Sequence, residues 1–332
     1  MQELSKHQNF NYEIISNNNQ KQLCQALAMN KYNTLLLVGS SQKIKVFYFK
    51  YKNLKQIQLI NKHINEITTL NFFQIKPWFI SGSRDGQVIV WPSNLMMNQK
   101  YLIKFKGHSN WINCFVLQQT LQDLIISCSK DSTIKFWSIQ LSSCMQTIRL
   151  FNQQIYSSSI NNMGNKIIAC SSDNSIIILE ELNCFKWIIT QRIIVSNFGY
   201  RLSFITNTIF AFQPYKQSNL QIYYLNSGNQ TFFKKLEVLI EGGDQPCNHY
   251  FPMVYVPLKN FLLVKHGYKL NLISIDLSDK EEILECKLQQ VIDFRKVLWS
   301  QIFGTMSQDG QFLITWDFKS SLIQLREYKH FP

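Results

Sequence analysis

Three stretches of this chain repeat one another. SGSRDGQVIVW ends at Trp91, SCSKDSTIKFW ends at Trp137 and ACSSDNSIIIL ends at Leu179. Each is a short apolar run, a polar turn centred on an Asp, and a second, alternating run, which is a hairpin signal. The segments ahead of the first two match as well. KHINEITTLNF and GHSNWINCFVL each set a His before an alternating apolar run. A lone hairpin is marginal in water, so a repeated one requires neighbours that cover its faces. The second hairpin strands end near Phe47, Trp91, Trp137, Leu179, Tyr223, Ile273 and Leu325, in steps of 42–52 residues. That period is the length of one four-stranded propeller blade.

Seven such units fill the 332 residues. The expected fold is all-β, a seven-bladed β-propeller of four-stranded antiparallel blades in one domain, 1–332. The blades fall at about 23–60, 61–106, 107–150, 151–195, 196–240, 241–291 and 292–328. In the second half the count rests on strand runs: TIFAFQP with LQIYYLN, FLLVKHG with YKLNLISI, and QFLITWD with LIQLREY. The stretch Lys280–Leu288 has a helical reading but sits where an outer strand is due. After LIQLREY the last blade is one strand short, while FNYEIIS at 10–16 is a spare strand. Pairing the two closes the ring and removes a sheet edge open to aggregation.

Composition narrows the class further. Apolar residues are 45% and charged residues 17%, enough to bury a core and unlike a disordered chain. No apolar run approaches the ~18–20 residues that span a bilayer, so no membrane insertion is expected. MQELSKHQNF lacks a basic segment followed by an apolar one, so no secretory signal is expected. The eight cysteines (Cys24, Cys114, Cys128, Cys144, Cys170, Cys184, Cys247, Cys286) contain no C-x-x-C pair and do not cluster with the six histidines. Neither a zinc site nor a disulfide framework is expected. Cys114, Cys128 and Cys170 read as small buried hydrophobes, and a reducing compartment fits.

These residues resemble the WD40-repeat (G-beta-like) family. The match is fullest over residues 63–137, extends to 23–62 and 138–180, and fades beyond. In that family a His before the inner strand, a Ser or Thr, the turn Asp and a strand Trp form a structural tetrad. The resemblance places these at His63, Ser81, Asp85 and Trp91, and again at His108, Ser127, Asp131 and Trp137. His-to-Asp spacings are 22 and 23 residues, and Asp-to-Trp is six in both. A buried chain of this type is worth its desolvation only when complete. A catalytic Ser-His-Asp triad is the competing reading, and the duplicated set argues for stability instead. Asp173 has Ala169 and Leu179 where Ser and Trp are due, the first blade has Phe47 and no turn Asp, and blades five to seven lack the tetrad. Trp316–Asp317 spells the family dipeptide away from its usual place, between the second and third strands of the last blade.

No enzymatic constellation stands out. The patterns G-x-x-x-x-G-K-[ST], G-x-S-x-G and H-E-x-x-H are absent. Glu180–Glu181 point to opposite sides of a strand, Asp244 in EGGDQP reads as a turn, and His249 and His266 read as surface or loop residues. No cofactor and no metal are expected. Binding remains. The resemblance implies top-face contacts from the residue before the turn Asp (Arg84, Lys130, Ser172) and from the third residue after the loop His (Glu66, Trp111). Trp and Arg are enriched at interface hot spots. Trp111 also has a packing role open to it, as a strand-start aromatic against the next blade.

The balance of 34 Lys and Arg against 21 Asp and Glu, +13, favours acidic partners or reflects a Lys-rich coding bias. Lys43, Lys45, Lys50, Lys52 and Lys55 precede Lys62 without an intervening acid, and Lys100, Lys104 and Lys106 hold the matching outer strand of the next blade. They read either as a basic side wall for a polyanion or as edge protection. The expected function is a non-catalytic protein–protein interaction scaffold, a monomeric ring within a larger intracellular complex, cytoplasmic or nuclear. Its partners are other proteins of unknown identity. The alternative is an RNA- or polyanion-binding propeller using the Lys-rich side.

Overall fold

A computed structural model describes residues 10–94, 100–118, 123–149, 153–183, 186–242, 247–278, 282–295 and 301–330. Cys184, Asp244 and Lys280 lie outside the described residues.

The described residues form seven four-stranded antiparallel sheets. The N-terminal strand β1 (Phe10–Asn19) stands apart in sequence from the blade it joins. Blade 1 is β2 (Leu27–Met29), β3 (Leu35–Ser40), β4 (Lys43–Lys50) and β5 (Asn53–Ile60). Blade 2 is β6 (Ile67–Phe72), β7 (Trp78–Ser83), β8 (Gln87–Pro92) and β9 (Ile103–Lys106). Blade 3 is β10 (Ile112–Leu117), β11 (Leu124–Ser129), β12 (Thr133–Ser138) and β13 (Ser143–Arg149). Blade 4 is β14 (Ile155–Ile160), β15 (Lys166–Ser171), β16 (Ser175–Asn183) and β17 (Lys186–Ile194). Blade 5 is β18 (Gly199–Phe204), β19 (Ile209–Pro214), β20 (Asn219–Asn226) and β21 (Thr231–Leu239). Blade 6 is β22 (Val254–Val256), β23 (Phe261–His266), β24 (Lys269–Leu277) and β25 (Ile283–Asp293). Blade 7 is β26 (Ile302–Met306), β27 (Phe312–Asp317) and β28 (Leu322–His330), with β1 as its fourth strand. β25 covers most of the stretch with the helical reading, and it is a strand.

The first strand of every blade lines a central cavity of about 350 Å³, and later strands step outward. Both faces of the middle strands are therefore covered by neighbouring blades. This is why LLLVGS, LIISCS and FLLVKH read as nearly continuous apolar runs, whereas the outer strand β13 alternates only between exposed and half-buried. The core is correspondingly divided. One cluster fills each interface between adjacent blades: Phe79 and Trp91 pack on blade 1, and Phe136 and Trp187 join blades 3 and 4. β28 is not left as an edge, because β1 pairs with it from Phe10↔His330 to Asn19↔Leu322 and forms the outer strand of blade 7. Phe10 stacks on Tyr328 at 5.2 Å, the Tyr12 hydroxyl donates to Gly310 O at 2.5 Å, and Trp316 Nε1 donates to Gln20 O at 2.8 Å. Trp316 and Asp317 thus lie within the end of the second strand of blade 7, not between its second and third strands, and Trp316 serves closure.

Candidate functional site

Each turn between a blade's second and third strands meets the loop that enters the same blade's first strand. One hydrogen bond recurs there. Arg84 N donates to Glu66 O at 2.9 Å, Lys130 N to Trp111 O at 2.9 Å, Ser172 N to Gln154 O at 3.0 Å and Tyr215 N to Phe198 O at 2.7 Å. The paired positions expected at Arg84, Lys130, Glu66 and Trp111 therefore sit side by side on one face of the ring, here called the top. Their equivalents in blade 5, Phe198 and Tyr215, are invisible to motif reading because that blade has no tetrad.

A second periodic device aims side chains at the channel mouth. The first strands of blades 2 to 5 each carry a register shift, between Ile67 and Thr69, Ile112 and Cys114, Ile155 and Ser157, and Gly199 and Arg201. The extra residues are Thr68, Asn113, Tyr156 and Tyr200, and bulges of this kind re-aim a side chain. Thr68 Oγ1 donates to Ile112 O at 2.5 Å and Asn113 Nδ2 to Ile155 O at 2.7 Å, each reaching the next blade. Tyr156 and Tyr200 make the same reach with rings, 4.7 Å apart.

The result is a continuous aromatic and cationic run across the mouth. Trp111 has the Arg84 guanidinium 4.1 Å and the Lys130 Nζ 4.3 Å from its ring centre. Arg84 also pairs with Glu66 at 3.0 Å and lies 5.9 Å from the Tyr250 ring. Tyr250 contacts His249, which lies 5.6 Å from both Tyr156 and Tyr200; Tyr200 meets Tyr215, and Tyr215 stacks on Phe198 at 5.0 Å. His249 and Tyr250 come from the residues just ahead of β22, at 247–253, which line the mouth. After β21 the chain requires glycine at Gly242: φ is +106°, and a Cβ there would lie 2.2 Å from His266 O. The face is positive. Burial, followed by the charges of Arg201, Arg84, Lys265 and Lys130, holds the His249 imidazole down at about 3. His266 is not a surface residue: it is 1% exposed at the end of β23, and burial lowers it to about 4.

Below this face lie the two four-residue sets. His63 Nδ1 is 2.8 Å from Asp85 Oδ2, its Nε2 is 2.8 Å from Ser81 Oγ, and Trp91 Nε1 donates to that Oγ at 2.8 Å. His108 repeats this with Asp131 at 2.8 Å and Ser127 at 2.7 Å, and Trp137 Nε1 donates to Ser127 Oγ at 2.8 Å. The bonding assigns a single direction: indole to serine, serine to Nε2, Nδ1 to carboxylate. The serine proton therefore faces an imidazole, but the Oγ is buried beneath an indole. Ser81 and Ser127 are both 0% exposed, which leaves no room for a substrate carbonyl. Burial alone raises the carboxyls of Asp85 and Asp131, and the bonds from histidine and backbone N–H groups more than reverse this, holding both below the usual range. Asp173 pairs instead with Arg192 and accepts from Ser175.

The lysines named from sequence are spread. Lys43, Lys45 and Lys50 are on β4, a third strand, Lys52 is in the following turn, and only Lys55, Lys104 and Lys106 are on outer strands, with Lys100 before β9. Lys45 Nζ is tied to Gln20 at 2.7 Å and Lys52 to Glu327 at 2.8 Å. Cys128 and Cys170 are buried and Cys114 only partly so. Among the described residues no group of three or more His, Cys, Asp and Glu could hold a metal ion. Among the described residues no helix is long and apolar enough to cross a membrane.

Comparison with known proteins agrees with this architecture. The family model described as "WD domain, G-beta repeat" matches residues 54–92 and 99–138. Nuclear distribution protein PAC1 of Komagataella phaffii is 27% identical over 154 residues, which is 42% of this chain and 31% of that protein. Pre-mRNA-processing factor 19 of Bos taurus is 28% identical over 94 residues, 28% of this chain and 18% of the relative. CCR4-associated factor 4 homolog of Vanderwaltozyma polyspora is 32% identical over 97 residues, 27% and 14% of the two chains. The chain thus spans less than a third of the length of these relatives. The chain thus carries two repeats that match the WD domain, G-beta repeat model, set in a seven-bladed β-propeller whose other five blades have the same four-stranded build.

Proposed function

We propose that this chain is a non-catalytic protein-interaction platform that presents its top face to partner proteins within an intracellular complex. The observation that carries the reading is Trp111 with Arg84 and Lys130 over its ring, continuous with the aromatic run to Tyr215. Aromatic and guanidinium groups already held in place by cation–π contacts and a shared backbone hydrogen bond lose little freedom on docking, so more of the contact energy appears as affinity. The positive face favours acidic partner surfaces. Similarity to proteins named for nuclear distribution and for pre-mRNA processing supports a role inside the cell, in the cytoplasm or nucleus.

The test is affinity capture from native, nuclease-treated lysate with quantitative mass spectrometry. Wild type is compared with an Arg84→Glu, Trp111→Ala double variant of equal melting temperature. A defined set of proteins lost only from the variant supports the reading, and an unchanged set refutes it. Capture that instead collapses with nuclease, and falls steeply with salt, points to the lysines at 43–55 and 100–106 and a polyanion partner.

A further inference from the structure

The connection that carries His249 and Tyr250 also holds a thiol in an unusual setting. Arg201, on β18, is 1% exposed, and its guanidinium makes three contacts. Nε donates to Phe251 O at 2.7 Å, Nη2 donates to Asn248 O, and Nη1 lies 3.1 Å from Cys247 Sγ. Lys265, on β23 and 0% exposed, places its Nζ 3.7 Å from the same sulfur. Arg201 has no carboxylate partner among the described residues. A guanidinium stays charged in a protein interior, and a buried charge requires a counter-charge. Of the three groups among the described residues that Arg201 touches, two are carbonyls, and the sulfur is the one able to become an anion.

We propose that Cys247 is a thiolate at neutral pH and the site on this chain of reversible oxidation by hydrogen peroxide and of alkylation by soft electrophiles. The inference stands apart from the interaction reading. The thiolate is the reactive form of cysteine, and neighbouring cations raise its population. Burial raises the Cys247 thiol, and the charges of Arg201 and then Lys265 more than offset it, for a net lowering. Among the described residues, the histidines and the tyrosine that face this cluster leave the balance unchanged near pH 7. His249 and His266 are held neutral, and burial keeps the Tyr200 hydroxyl protonated. The carbonyls of Asn248 and Gly267, at 3.7 and 4.0 Å, are the acceptors open to a thiol proton, and both are farther than the Arg201 contact. Cys247 as a whole is only partly buried.

In the oxidation step the thiolate sulfur attacks one peroxide oxygen. An S–O bond forms, the O–O bond breaks, and hydroxide leaves and takes a proton to become water. The sulfur is oxidised to a sulfenic acid and the peroxide is reduced. The product no longer offers Arg201 a full counter-charge, so oxidation loosens the contact that holds residues 247–251 against β18.

The test uses the intact chain with limiting iodoacetamide from pH 5.5 to 9, and exposed Cys144 as internal reference, each site read by peptide mass spectrometry. From pH 8.5 to 6.5 the rate of a free model thiol falls about 50-fold, and the Cys247 rate should fall less than about threefold. Dilute hydrogen peroxide followed by dimedone should mark Cys247 first. Lys265→Met and, separately, Arg201→Gln should move the Cys247 profile toward that of Cys144. The lysine variant keeps the test valid if the arginine variant fails to fold. A Cys247 profile parallel to Cys144, or a Cys247 that labels only after denaturation, overturns the proposal.

Discussion

Replacing Asp131 with alanine removes one carboxylate and strands several donors at once. Oδ2 accepts from His108 Nδ1 at 2.8 Å and from Ser109 N at 3.0 Å; Oδ1 accepts from Thr133 N at 2.9 Å and from Thr133 Oγ1 at 2.6 Å. Ser109 is exposed and recovers a bond to water, but His108 is 8% exposed and Thr133 is 3% exposed. A buried donor left without a partner costs ~1–3 kcal/mol. With the imidazole N–H and one Thr133 donor stranded, the expected loss is ~2–6 kcal/mol. Asp173→Ala is the control. It loses an ion pair with Arg192, 35% exposed at the side chain and worth ~0–1 kcal/mol, and strands one buried donor, Ser175, where Asp131→Ala strands two and breaks the chain to the indole. Both variants are unfolded in urea, followed by tryptophan fluorescence and far-ultraviolet circular dichroism. The Asp131 variant should show the larger fall in midpoint at an unchanged slope, since the exposed surface is the same. Equal falls in the two variants would falsify the claim that the four-residue set acts as a buried network.

Acid should erase that difference. The Asp131 carboxyl is held below its unfolded value, so its contribution is complete above about pH 4 and is lost as pH falls through the folded value. The gap between wild type and Asp131→Ala should therefore narrow below pH 4; a constant gap in urea midpoints refutes the carboxylate's part. His249 has the same sign for a different reason. It is lowered to about 3 in the folded chain against about 6.5 unfolded, so stability is full above pH 6.5 and declines toward pH 3. His249→Asn should flatten the decline between pH 6.5 and 4, leaving the smaller one from His266, and an identical slope counts against the buried neutral imidazole. Deleting residues 1–19 opens the edge of β28 and uncovers the Phe261 face that Phe10 and Tyr12 pack against. Light scattering should show concentration-dependent association, and a stable monomer would argue against closure by β1.

Much of the ring was legible because its signals are local. The hairpin turns at Asp85 and Asp131 carry Asp at a fixed distance from a Trp, and each turn demands a left-handed residue next, Gly86 at φ +74° and Ser132 at φ +70°. The spare strand at 10–16 was readable as well, since an unpaired edge has to be covered. Blade 5 was not. Its apolar runs showed strands, but nothing in FGYRLSF marks Phe198 as the equivalent of Trp111 or Tyr200 as the bulged residue. The bulge is a register difference between two strands and has no fixed local motif.

The sequence by itself determined the repeat, the blade type and the four-residue sets in blades 2 and 3, because backbone turns and hydrogen-bond complementarity act over a few residues. Only the tertiary structure decided what the top face is made of. Trp111, Tyr250, Tyr156 and Tyr215 come from four different blades or connections, and Cys247 meets Arg201 from 46 positions away. Side chains so far apart in the chain meet only because the ring closes. Closure sets their spacing by packing between whole blades, a constraint that no single stretch of residues contains.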